Sequence, residues 1–128
     1  MININPIEQT KLFGLGEYID ELINLEVNNK LPNKILLSGP KGIGKSTIAF
    51  HFINYCLSKN KSFNYNVKDY EINPESSIFK TILNGSNPNF ILLDINDKKK
   101  FIDINQIGEL ILKLTKSSFN DSPRFILI

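Results

Sequence analysis

Apolar residues recur along this chain in two rhythms, and the alternation between them predicts the architecture. Short unbroken apolar runs, ILL, FILL and FILI, stand within residues 34–38 (KILLS), 90–95 (FILLDI) and 124–128 (RFILI). Runs of that length without polar interruption suit strands covered on both faces. Between them the apolar positions fall at helical spacing. Residues 16–28 predict a helix with Tyr18, Ile19, Leu22, Ile23 and Glu26 along one stripe, apolar except at its end. Residues 46–57 predict a second, with a wide stripe of Ile48, Ala49, Phe52, Ile53, Cys56 and Leu57 suited to lying on a sheet. A short helix is expected over 74–83, with Ile78, Phe79, Ile82 and Leu83 on one face. A long one opens at Asp103, with Gln106 three residues on in a capping-box arrangement and Ile104, Ile107, Leu110, Ile111 and Leu114 as its stripe.

Breakers punctuate this order. Residues 1–14 read as irregular around Pro6 and Gly14, and Asn29, Lys30 and Pro32 close the first helix. Residues 58–66, 84–89, 96–100 and 120–123 are polar turns or loops. Strands alternating with helices predict an α/β fold, a parallel sheet flanked by helices on both faces. No internal repeat is present. The sequence ends within an apolar strand, and a sheet of about three strands would leave an edge uncovered. The expectation is therefore the front part, residues 1–128, of a longer domain.

One segment changes the picture from architecture to chemistry. Gly39, Pro40, Lys41, Gly42, Ile43, Gly44, Lys45 and Ser46 match the phosphate-binding pattern G-x-x-x-x-G-K-[ST] without a mismatch. The match stands between a strand-type run and a helical one, the context the pattern requires. Glycines let phosphate oxygens approach the backbone closely and permit positive φ. Successive backbone N–H groups then line an anion nest, and the helix that follows adds its own N–H groups and the positive end of its dipole. Lys45 reaches the β- and γ-phosphates as a point charge, and Ser46 offers its hydroxyl to a Mg²⁺ bridging them, with Thr47 next to it. ATP and Mg²⁺ are the expected ligands. The bland alternative is a glycine turn, or a loop that has kept its shape and lost its nucleotide.

Composition sets bounds on the rest. Hydrophobic residues make up 41% and charged residues 22% of the 128, an ordinary globular balance. No run approaches the length a membrane helix needs, and MININPIEQ lacks the basic and apolar regions of a secretory signal. A cytoplasmic location without membrane association is expected. The lone Cys56 excludes an internal disulfide and a cysteine zinc module, and on the buried stripe it reads as a small core residue. Net charge is +2, and Arg124 is the only arginine among 15 basic residues. That lysine skew, alongside abundant Ile and Asn, is a compositional bias and not a nucleic-acid signature.

Other candidate residues each have a plain structural role as the alternative. Mg²⁺ held on a phosphate loop calls for a carboxylate at the tip of another strand. Asp94 ends FILLD, but Asn96 and Asp97 follow and no Glu stands beside it. The residue after Ile128 is favoured, because the preceding helix gives that strand the usual position in the chain. His51 lies off the apolar stripe of its helix and reads as a surface or inter-helix residue. Lys98, Lys99 and Lys100 read as a solvated turn, with a DNA-backbone contact as the lesser alternative. Tyr18 reads as core.

The order of signals resembles the delta-prime subunits of bacterial DNA polymerase III clamp loaders, which are AAA+ proteins, and the similarity runs from end to end. Asn5, Pro6, Leu12, Phe13 and Gly14 look like the family's opening segment, which borders the adenine pocket in AAA+ proteins. LPNKILLSGPKGIGKSTIAF is similar to its strand and phosphate loop, with Asn33 where His is usual. GSNPNFILLD looks like its loop and second strand, with Asn87 where His is common. IDINQIGELILKL resembles the helix before the magnesium-acid strand, into which SPRFILI leads.

The resemblance implies a three-layer P-loop NTPase fold of the AAA+ type and a subunit that binds ATP and helps load the sliding clamp onto primed DNA. Its implied partners are the other clamp-loader subunits in a hetero-oligomer, the sliding clamp, and primed DNA through the assembly. Related subunits often carry a four-cysteine zinc module; residues 57–83 contain no cysteine, so zinc is not expected. Some delta-prime subunits are non-hydrolysing stators with degenerate loops, whereas this chain keeps Gly39, Gly44, Lys45 and Ser46. Hydrolysis would also need the acid beyond Ile128 and an arginine from a neighbouring subunit. The rival readings are a scaffold subunit with a relic loop, the ATPase subunit of the same loader, and a small-molecule kinase, which the near-absence of arginine disfavours.

Overall fold

A computed structural model describes residues 5–32, 34–38, 44–92 and 125–127. Its elements are a 3-10 turn Pro6–Glu8, helices α1 (Gly16–Val27), α2 (Lys45–Ser58) and α3 (Ser77–Asn84), and strands β1 (Phe90–Leu92) and β2 (Phe125–Leu127). The chain divides into two compact units, Met1–Leu83 and Asn84–Ile128.

In the first unit, α2 is the central element. The stripe residues Ile48, Phe52, Ile53, Cys56 and Leu57 are all buried, and so are Phe50, His51 and Asn54 on its other sides. A helix apolar only on one stripe would expose the latter three; here the surrounding chain closes over them. Helix α1 buries Ile19 completely. Contrary to the stripe read from sequence, Tyr18 is 55% exposed, because the face that reaches cover is narrower than the stripe. Helix α3 buries Phe79 and Ile82 and leaves Leu83 exposed. Phe79 packs with Tyr65 and Ile72, and Tyr55 lies against this cluster.

The segment after α2 is more ordered than a polar turn. Asn66 and Glu71 exchange backbone hydrogen bonds of 2.9 and 3.1 Å and close a tight antiparallel turn. The Asn66 side chain accepts from the Asp69 N–H and donates to the Asp69 carboxylate. The turn is tied to the start of the chain: Leu12 N–H donates to the Tyr70 carbonyl and Ile72 N–H to the Thr10 carbonyl. Lys11 and Glu71 form an antiparallel bridge there.

Residues 34–38 are a correction. They form no strand, and Leu36 is 89% exposed. A strand exists only through its ladder, and the backbone hydrogen bonds among the described residues include none from this run. An apolar run reads the same whether or not a neighbour is there to pair with it.

In the second unit, β1 and β2 pair in parallel, with Phe90 opposite Phe125, Ile91 opposite Ile126 and Leu92 opposite Leu127. The Phe125 N–H donates to the Asn89 carbonyl at 2.7 Å. This is the parallel pairing that the two apolar runs predict. The lead-in is set by asparagine side chains, the Asn84 and Asn87 amide oxygens each accepting from an N–H two residues on. The expected helix opening at Asp103, Asp94 and Lys98 to Lys100 lie outside the described residues.

Candidate functional site

Helix α2 begins at Lys45, directly after Gly44, whose φ of 103° lies in the left-handed region. Only glycine takes that conformation without strain, so the pattern's second glycine has a conformational reason. Space adds a second reason: a Cβ on Gly44 would stand 2.7 Å from Leu15 Cδ1. Leu15 is the residue that precedes α1, so the start of α1 packs on the end of the loop.

The first ladder hydrogen bond of α2 runs from the Ile48 N–H to the Gly44 carbonyl at 3.0 Å. The amides of Ser46 and Thr47 lie ahead of that ladder, and the N-cap residue Gly44 brings no side chain to cap the helix. Ser46 is exposed, Lys45 is half-buried, and Thr47 is 6% exposed. Of the hydroxyls, Ser46 is therefore the one open to solvent, while Thr47 belongs to the packed side of the helix. Gly39, Pro40, Lys41, Gly42 and Ile43 lie outside the described residues.

This donor set fits a nucleotide phosphate and its Mg²⁺. A left-handed glycine leads into a helix N-terminus without a side-chain cap, with an ammonium and a solvent-facing hydroxyl in its first turn. That end of a helix favours anions, and a hydroxyl oxygen suits a hard cation. Lys45, Ser46 and the first-turn amides would hold the phosphates and metal, which would supply charge neutralisation at the β- and γ-oxygens.

Below this turn the helix changes character. His51 is fully buried. Its Nε2 is 2.9 Å from the Gln9 carbonyl and its Nδ1 is 2.8 Å from the Tyr65 hydroxyl. A carbonyl only accepts, so Nε2 carries the proton; Nδ1 of the neutral ring then accepts from Tyr65. Burial lowers the His51 pKa, with the Gln9 hydrogen bond opposing it, and burial raises that of Tyr65. Both stay neutral near pH 7, in the protonation states this pair of bonds needs. The surface alternative read for His51 is thus corrected: it is an interior tie between three segments. Its partners lie 42 and 14 residues away, and one is a backbone carbonyl, so helical spacing held no trace of them.

Cys56 is buried, and its thiol is pushed up to about 12, chiefly by burial. It is an unreactive core residue, as its place on the stripe predicts. Phe13 is 73% exposed just ahead of Leu15. Among the described residues, no group of His, Cys, Asp and Glu is arranged to hold a metal ion, and no helix is long and apolar enough to cross a membrane.

Comparison with protein families matches residues 15–128 to the family described as DNA polymerase III, delta subunit. The chain belongs to that family. Membership makes it a DNA polymerase III clamp-loader-type subunit with a role in DNA replication. The match begins at Leu15 and covers the loop, α2, α3 and both strands of the delta-family chain. Comparison with curated proteins and with solved structures finds no match.

Proposed function

We propose that this clamp-loader-type subunit binds ATP with Mg²⁺ through residues 39–47, and that it occupies the delta-prime position in the loader. Gly39 to Gly44 cradle the phosphates, Lys45 neutralises the β- and γ-oxygens, Ser46 holds the metal and Thr47 closes the first turn. Bound in a hetero-oligomer with the other loader subunits, it helps open the sliding clamp and place it on primed DNA. The fold in this reading is an AAA+ P-loop domain. The observation that supports it above the others is the unbroken loop pattern running into a helix whose entry glycine is left-handed, in a chain of this family.

The test is nucleotide binding by the full-length natural protein, read by displacement of a fluorescent ADP analogue in the presence of Mg²⁺. Lys45→Ala removes a charge-assisted contact and should weaken binding about a hundredfold. Its thermal stability without nucleotide should stay close to that of the unaltered protein. If the unaltered protein binds no nucleotide, or Lys45→Ala binds equally well, the loop is a relic and the subunit a scaffold.

A further inference from the structure

A side chain far from the loop in sequence reaches it through two close contacts. Tyr70 has a φ of 53°, uncommon for an aromatic residue, and that backbone turn points its ring at the start of α1. A Cβ on Gly16 would lie 2.6 Å from Tyr70 ring atoms, so only glycine admits the ring there. The Tyr70 hydroxyl donates to the Asp20 carboxylate at 2.7 Å, one helical turn further along. That hydrogen bond raises the phenol's pKa and keeps it a donor. Tyr70 thus spans the first turn of α1 from Gly16 to Asp20.

Its own backbone is held as well. The Tyr70 carbonyl accepts from the Leu12 N–H at 3.1 Å, and the Ile72 N–H returns to Thr10 at 2.8 Å. The turn 66–71 therefore grips residues 10–12 with its backbone and residues 16–20 with one side chain. Between those two grips lies Leu15, the residue whose Cδ1 fills the space over Gly44.

We propose that Tyr70 is a positioning residue for the phosphate-binding loop, acting through Gly16 and Leu15 on Gly44. The inference rests on the reading of residues 39–47 as a nucleotide site. With the ring seated on Gly16, the first turn of α1 is fixed and the Leu15 methyl stands against the Gly44 backbone. This confines the glycine to the left-handed conformation that leads the loop into α2. Without the ring, α1 can shift into the vacated space, Leu15 retreats, and Gly44 samples other conformations open to glycine. Phosphate binding needs those amides held in place, so affinity falls.

The experiment uses the full-length natural protein and two readouts: the Kd of a fluorescent ADP analogue with Mg²⁺, and hydrogen exchange of the Gly44, Lys45 and Ser46 amides without nucleotide. Tyr70→Ala should raise Kd about tenfold and speed exchange at those amides. Tyr70→Phe keeps the ring on Gly16 and should restore most of the affinity. Gly16→Ala, which pushes the ring away, should resemble Tyr70→Ala. The control is Ile82→Val, which trims a buried residue elsewhere in the first unit; it should lower Tm and leave both readouts alone.

If Tyr70→Ala does not fold, Leu15→Ala carries the test, since it removes only the group facing Gly44 and should raise Kd and exchange in the same way. Unchanged Kd and exchange in the folded variants, with Lys45→Ala still weakening binding about a hundredfold, would overturn the positioning role alone. Absence of binding by the unaltered protein would instead remove the nucleotide reading, and this inference with it.

Discussion

The two ends of α2 treat polar side chains in opposite ways. Toward the C-terminal end, His51, Asn54 and Ser58 are buried and engaged inside the protein: His51 with Gln9 and Tyr65, Asn54 with the Phe50 carbonyl, Ser58 with the Tyr65 N–H. At the N-terminal end, Gly44 is left-handed, Ser46 is open to solvent, and the N-cap glycine offers no side chain to the first turn. His51, Asn54 and Ser58 each have an internal partner, although the Asn54 Oδ1 is buried without one among the described residues. The N-terminal end keeps the Ser46 hydroxyl at the surface, where a ligand from outside the chain can reach it. One helix can thus anchor a fold at one end and present a site at the other, and substitutions at the two ends should separate stability from binding.

The largest effect is expected at the closed end. His51→Ala opens a cavity and strips partners from the Tyr65 hydroxyl and the Gln9 carbonyl, which should cost about 4 kcal/mol of stability by urea denaturation. Nucleotide affinity at temperatures where the variant stays folded should hold, the reverse of Lys45→Ala. Loss of affinity equal to that of Lys45→Ala would mean that the two ends are one unit. The same residue sets a pH dependence. Its folded pKa lies below the unfolded value of 6.5, so the unfolded chain binds more protons. Stability is fully present above pH 6.5 and falls as pH drops from there toward the folded pKa. This slope should vanish in His51→Ala.

Tyr65→Phe is the milder probe of the same network. It keeps the ring, which meets the His51 ring edge-on at 5.5 Å, and removes only the hydroxyl proton that Nδ1 accepts. A loss of about 1.5 kcal/mol follows from one buried acceptor left without its donor. A loss as large as that of His51→Ala would mean that ring packing is not what holds the segment after α2 in place.

The same contrast marks what could be read from the residues in order. Local rhythm announced α1, α2, α3, β1 and β2, because burial of a periodic stripe or an unbroken run leaves its mark on neighbouring positions. The loop pattern is plain as a pattern, since the phosphate chemistry proposed for it asks for glycines, Lys45 and Ser46 at fixed spacing. Features made by distant pairings left no such mark. Nothing beside His51 announces the Gln9 carbonyl, and nothing beside Gly16 announces the Tyr70 ring. Residues 34–38 erred the other way, for an apolar run states what a strand would want and not whether a partner stands beside it. The turn at 66–71 had a local signal in Asn66 and Asp69, whose side chains favour such turns. Its importance lies in what it grips, and that is visible only in three dimensions.

The smallest effect tests whether the closed end owes anything to charge. Glu26, the polar end of the α1 stripe, accepts from Lys59 and, at 3.3 Å, from the Tyr55 hydroxyl, and the Lys59 ammonium sits 5.1 Å from the Tyr55 ring centre. The cluster links the ends of α1 and α2, but its ion pair is half-open to water, so solvent screens most of the attraction. Glu26→Gln keeps an acceptor for Tyr55 and removes the charge, and should cost about 0.5 kcal/mol, a loss that shrinks as salt is added. If the loss instead approached that of His51→Ala and ignored salt, charge and not buried neutral hydrogen bonding would be what closes this end of the helix. The contrast between the two ends would then have to be redrawn as paired charge against an open helix terminus.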